Sequence, residues 1–410
     1  MPEGPTAGPS RVVRANLLAL AALIVMGAGV LLWQQPWRPS SSVDDVSYPD
    51  DPARVIDQQL RAMSDATGEE FVTAAGGTET ARTAAAALDL LGGQNVRFGY
   101  VDGGQAPTRD DGSTTVTVRV TWQTDGSVLP AAERASEVQL VMRPDGDRFA
   151  WAGTEHRRGE PLPLWLAGEI AADADADAVV VALGDAGDAM AEVAPLATAA
   201  AQRAGEELGE TAADRLVLVV PPTDAALGRL AGRAPDEAAA LAAVTTRLDA
   251  TTDAGAVVAL NPAVFAEMDE RGRRIVLVHE AVHQLTQVVG SRVEMWVAEG
   301  YADEVALRGD AAGLETSAGR ILAEVRREGP PATLPGPQEF GDAERVTAVY
   351  ESAWLAIRML VEEYGDERVR EFYDAVVAGA EVDVALREML GTDLASVTAR
   401  WQDYLVALAS

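Results

Sequence analysis

The stretch Arg271–Val289, RGRRIVLVHEAVHQLTQVV, decides how the chain is read. Ile275, Val278, Val282 and Leu285 recur at helical spacing, which predicts a helix with one buried stripe. Inside it lies His279-Glu280-Ala281-Val282-His283. Residues four apart on a helix share a face, so both imidazoles can reach one zinc ion. Glu280 sits beside them, where it can take a proton from a water molecule. The chain has 3 histidines in 410 residues, and two of them are in this pentapeptide.

A catalytic zinc needs a third protein ligand and an open position. No histidine follows His283, so that ligand must be a carboxylate. The run Trp296-Val297-Ala298-Glu299-Gly300-Tyr301-Ala302-Asp303 offers Glu299 at the start of, or within, the next helix. Asp303 is four residues further on, on the same face. Metal-bound histidines usually donate their second N–H to a carboxylate, and Asp303 is placed to receive it from His279.

HExxH followed on a second helix by W-x-x-E-G-x-A resembles the gluzincin metallopeptidases of the peptidase MA-like group. The resemblance covers roughly Ala178 to Leu408, and includes a helical tail with Tyr350-Glu351-Ser352-Ala353-Trp354 and Glu363-Tyr364-Gly365. It implies a mostly helical zincin-like domain with a small sheet, and Zn2+ held by His279, His283 and Glu299. It implies peptide-bond hydrolysis with Glu280 as general base, and Tyr350 as donor to the developing oxyanion. The other reading of Tyr350 is a packed tyrosine at a helix end. The 15 residues between His283 and Glu299 make a shorter spacing than in aminopeptidase-like or thermolysin-like members. Glu294 is the rival third ligand, nearer His283, but its neighbours do not match the family pattern. Within the same resemblance, Gly255–Leu260 is read as an edge strand that aligns an extended substrate, the other reading being an ordinary strand of the sheet.

Composition narrows the chemistry further. The formal net charge is −31, and a surface this acidic repels phosphate backbones, so no nucleic-acid partner is expected. Every basic residue is arginine, which excludes Schiff-base and P-loop lysine chemistry. With no cysteine, disulfides and thiolate ligands are excluded as well.

Ala15–Trp33 (ANLLALAALIVMGAGVLLW) is apolar over 19 residues, enough to span a bilayer. Arg11 and Arg14 precede it and four aspartates follow, which puts the N-terminus in the cytoplasm and the rest outside the cell. A cleaved signal peptide is the alternative, but the apolar run is longer than signal peptides use, and no small-x-small site follows it. The expected organisation is a cytoplasmic tail over 1–14, a transmembrane anchor over 15–33 and a linker over 34–52. A small α+β domain follows over 53–158, and a metallopeptidase-like domain over 159–410. In the small domain two helical patterns precede four alternating strands, a cystatin-like or NTF2-like order with no chemistry of its own. A spacer, docking or pro-domain-like module is its default role. Further on, Ala178–Leu183, Leu216–Val220 and Gly255–Leu260 read as strands, Asp173–Asp177 as solvated surface and Pro235–Arg247 as a helix. The remainder is helical, and the fold class is α+β.

The expected partners are a peptide or protein substrate and, through the N-terminal helix, the membrane. Two other functions fit the same features. One is a catalytically inactive cell-envelope binding protein that retains the fold. The other is a sensor or scaffold whose metal site is structural, which would require a fourth protein ligand.

Overall fold

The computed structural model describes residues 51–101, 109, 111–155, 161–209, 215–234, 238–239, 241–249, 255–342 and 344–410. The expected tail, anchor and most of the linker lie outside these residues, as does His156, read from its polar neighbours as an exposed linker histidine. Among the described residues no helix is long and apolar enough to cross a membrane.

The described chain opens with three helices, α1 (Pro52–Met63), α2 (Gly68–Ala74) and α3 (Glu79–Leu90). An antiparallel meander follows: β1 (Gly93–Tyr100), β2 (Thr114–Thr124), β3 (Ala132–Asp145) and β4 (Arg148–Glu155), in that spatial order. Val116, Val118, Val120 and Trp122 of β2 are buried, and the residues between them are not, which is the period of a strand with one dry face. Helix α2 has no sequence stripe and is found only in the structure.

The second sheet combines β5 (Ile170–Ala174), β6 (Ala178–Leu183), β7 (Leu216–Val220), β8 (Ala243–Thr246) and β9 (Val257–Leu260), in the order β5-β6-β7-β9-β8. The pairs β6–β7 and β7–β9 are parallel, while β5 and β8 run antiparallel to their neighbours at the two edges. Helix α4 (Gly187–Leu208) makes the crossover from β6 to β7. AVVVAL and LVLVV are buried at every position, because both faces of this sheet are covered. Ala178, Val180, Ala182, Leu216, Leu218, Val220, Val258 and Leu260 join the core on the helical side. Val179, Val181, Leu183, Val217, Val219 and Val257 join the core of the small N-terminal unit. The sheet is thus the middle of three layers, and the described residues fall in one compact unit. A buried ion pair, Arg134 Nη1 to Asp249 Oδ2 at 2.7 Å, ties β3 to the segment after β8.

Two expectations are corrected here. Pro235–Arg247 is not one helix, because Ala243–Thr246 forms β8. The strand within Gly255–Leu260 is not an edge: β9 lies between β7 and β8, and β8 holds the edge. Asp173 to Ala176 are exposed as expected and Asp177 is half-buried, with Asp173 near the end of edge strand β5. Asp175 shapes the following turn by accepting from the amides of Asp177 and Ala178.

After β9 come α5 (Pro262–Glu267) and α6 (Glu270–Leu285), then α7 (Met295–Leu307) and α8 (Gly319–Glu328). The chain closes with α9 (Val346–Tyr364), α10 (Asp366–Val377) and α11 (Leu394–Ala409). Asp269 caps α6, accepting from Gly272 N at 2.7 Å. Its buried face, Leu277, Val278, Ala281, Val282 and Leu285, packs into the main core, with Ile275 at the margin.

Candidate metal centre

Helices α6 and α7 carry the site between them. Gln284 anchors α6 to the sheet: its Oε1 accepts from Val217 N at 2.6 Å and its Nε2 donates to the Arg215 carbonyl at 3.1 Å. This buried glutamine immediately follows His283, so the histidines hang from a helix pinned to the central strand. Sequence reasoning passed over it, and its only sequence signal is an amide at the edge of an apolar stripe.

Helix α7 crosses close to α9, and Gly300 permits it. A Cβ there would stand 2.4 Å from the Ala353 carbonyl oxygen and 2.8 Å from Ile357 Cγ1. Gly300→Ala should therefore push the two helices apart and cost about 1–3 kcal/mol. Thermal unfolding of the two proteins, each with zinc, measures it, and an unchanged midpoint would refute the close crossing. The glycine of W-x-x-E-G-x-A is thus a packing requirement next to Glu299.

His279 Nε2, His283 Nε2 and Glu299 Oε2 form a small triangle, with edges of 3.0 Å between the histidines and 3.2 and 3.3 Å to the carboxylate. Zinc bonds of 2.0–2.1 Å at tetrahedral angles hold ligand atoms about 3.3–3.4 Å apart, so the triangle has close to the right size. These three residues are the group of metal-capable side chains found among the described residues. Asp303 Oδ1 lies 2.8 Å from His279 Nδ1, on the far side of the ring from the triangle. That contact places the Nδ1 proton toward Asp303 and leaves Nε2 to face the centre. His283 Nδ1 is buried without a protein partner. Glu294, the rival ligand, instead accepts from Trp296 Nε1 at 2.8 Å.

The charges reinforce one another. Burial works against a charged His279, but the charge and hydrogen bond of Asp303, followed by those of Glu299, hold the imidazole well above its ordinary range. Burial likewise opposes an ionised Glu299, yet the charge of His283 and hydrogen bonds from both histidines hold its carboxyl well below the usual range. The metal-free site therefore keeps a proton on His279 at neutral pH. A metal ligand must give it up, so zinc uptake should release about one proton, and affinity should fall about tenfold per pH unit as pH drops below the raised His279 value. Calorimetric titration in two buffers of different ionisation heat reads this directly, and the absence of any proton release would contradict it.

Tyr350 on α9 stands at the rim, its ring centroid 6.3 Å from that of His279 and edge-on to Phe340 at 5.1 Å. Burial first, and then the carboxylates of Glu299, Asp303 and Glu280, push its hydroxyl above the ordinary phenol range. It stays protonated at neutral pH and so keeps a proton to donate. Glu280 is partly buried, and its Oε2 is 2.5 Å from Thr245 Oγ1 of β8. Sequence reasoning missed Thr245 because it placed that segment in a helix.

No family model matches the chain, and no curated protein does. Among solved structures the chain is similar to M1 zinc metallopeptidases of Deinococcus radiodurans. One, a mutant with a bound Tyr-Ser-Ala substrate, aligns at 12% identity and a TM-score of 0.34, over 77% of this chain and 70% of that one. The M1 zinc metallopeptidase without the mutation aligns at 12% identity and a TM-score of 0.35, over 77% and 63%. A likeness this loose carries nothing over to the chemistry of this chain.

Proposed function

We propose that the chain is a zinc-dependent peptidase, anchored by its N-terminal helix with the site outside the membrane. The observation that carries this reading is the triangle of His279, His283 and Glu299, with Glu280 on the same helix and Asp303 behind His279. Zinc, when held there, supplies Lewis acidity toward a peptide carbonyl and a water at neutral pH. Asp303 orients His279, and Glu299 closes the triangle from the second helix. Glu280 takes the proton from the attacking water and hands it to the leaving amine. Tyr350 donates to the oxygen on which negative charge develops. The outer edge of β8 is the template for an extended substrate, which would add as a further strand. The role first read into Gly255–Leu260 moves to β8 because only an edge offers unpaired backbone groups.

The test is incubation of the zinc-loaded chain with a mixed fluorogenic peptide library, beside its Glu280→Gln variant. Cleavage by the first and not the second is the expected result. Stoichiometric zinc without cleavage by either would leave an inactive binding protein as the better reading.

A further inference from the structure

We infer that Thr245 is a positioning residue for the base: its hydroxyl, presented by edge strand β8, clamps one carboxylate oxygen of Glu280 and leaves the other for the reacting water. The inference rests on the reading of Glu280 as general base.

The strand register fixes which way Thr245 points. Ala243 pairs with Leu260 and Thr245 with Val258, and Ala243, Val258 and Leu260 all belong to the core on the helical side of the sheet. Thr245 therefore faces α6. Val244, one residue away, packs on the opposite face with Leu227 and Ala259. Thr245 Oγ1 lies 2.5 Å from Glu280 Oε2 and 3.2 Å from the Glu280 carbonyl oxygen. A hydroxyl has one proton, and the shorter contact, to a charged acceptor, takes it.

A glutamate on a helix face has three torsions to settle, and the freedom lost on fixing such a side chain is worth up to about 2 kcal/mol. Threonine is branched at Cβ and stiff at χ1, and here it is mounted on a hydrogen-bonded strand. The chain of restraint runs from β9 to β8, from β8 to Thr245, and from Thr245 to the carboxylate. The Thr245 hydroxyl hydrogen-bonds to Glu280 and to neither histidine nor Glu299, so it should not affect metal content. The same four-residue strand that offers a template to the substrate also sets the orientation of the base. A peptide in register with β8 is thus already in register with Glu280.

The experiment uses the full-length, zinc-loaded chain and one peptide from the cleaved set of the fluorogenic library. Thr245→Val keeps the shape and removes the hydroxyl. It should lower kcat about 10- to 100-fold, keep KM within about twofold and leave zinc stoichiometric, as expected when a positioned group loses its orientation. Thr245→Ser, which restores the donor, should recover activity to within about threefold of the unaltered chain. In the Glu280→Gln background Thr245→Val should cost nothing more, since the group it orients no longer acts as a base. If Thr245→Val folds poorly, Thr245→Ala and Thr245→Ser still differ in the hydroxyl, and their kcat ratio carries the same test. A Thr245→Val protein with unaltered kcat, or one whose loss persists in the Glu280→Gln background, overturns the inference. Unaltered activity of Glu280→Gln alone would overturn the underlying reading instead.

Discussion

Glu280→Gln should lower kcat about 10³-fold, leave KM within a few-fold and leave zinc content unchanged. The substitution keeps the length and shape of the side chain and removes its charge and its capacity to take a proton. Glutamine can still accept from Thr245 through its amide oxygen, so the local packing survives. The three atoms of the triangle belong to other residues, so the metal site survives as well. The loss should therefore appear in the chemical step. A variant that loses zinc in parallel with activity would show that Glu280 supports the metal site, and a variant of undiminished activity would remove it from the chemistry. Metal analysis beside steady-state kinetics on one library peptide separates these outcomes.

The helix that carries the histidines was legible because its buried stripe and its motif share one periodicity. Strands β6 and β7 were legible because two-sided burial leaves unbroken apolar runs. Strand β8 was not. Its sequence, Ala-Val-Thr-Thr, follows an alanine-rich stretch whose helical propensity runs past the true boundary, and only pairing with β9 makes it a strand. That single error hid Thr245 and assigned the edge to the wrong strand. Gln284 was hidden for another reason. Its two partners, Val217 N and the Arg215 carbonyl, lie far away in the sequence, and nothing local announces them. The triangle itself was foreseeable in kind: spacing named His279 and His283, the lack of a further histidine required a carboxylate, and the family resemblance preferred Glu299 to Glu294. Its dimensions depend on the α6–α7 crossing, which no spacing encodes.

The small N-terminal unit, read from the sequence as a spacer, docking or pro-domain-like module, covers one face of the central sheet. A chain lacking residues 53–155 should fail to fold. Val179, Val181, Leu183, Val217, Val219 and Val257 would lose their apolar cover, and so would Trp165, whose ring packs edge-on against Trp122 at 6.1 Å. Full exposure costs about 1.5–3 kcal/mol for each such side chain. Even partial exposure of the set therefore approaches the whole stability of a domain, about 5–15 kcal/mol. The deletion also takes Arg134 away from Asp249, whose side chain is 1% exposed, at the end of the segment that carries β8. Breaking such a buried pair from one side costs about 3–5 kcal/mol. The expected product is aggregated, or compact but loosely packed, binding hydrophobic dyes and lacking a near-UV circular dichroism signal. A soluble, zinc-binding, cooperatively unfolding truncated protein would instead establish the unit as a removable pro-domain. The geometry opposes that outcome, because the strand that holds the base in place is itself fastened to the small unit through Asp249.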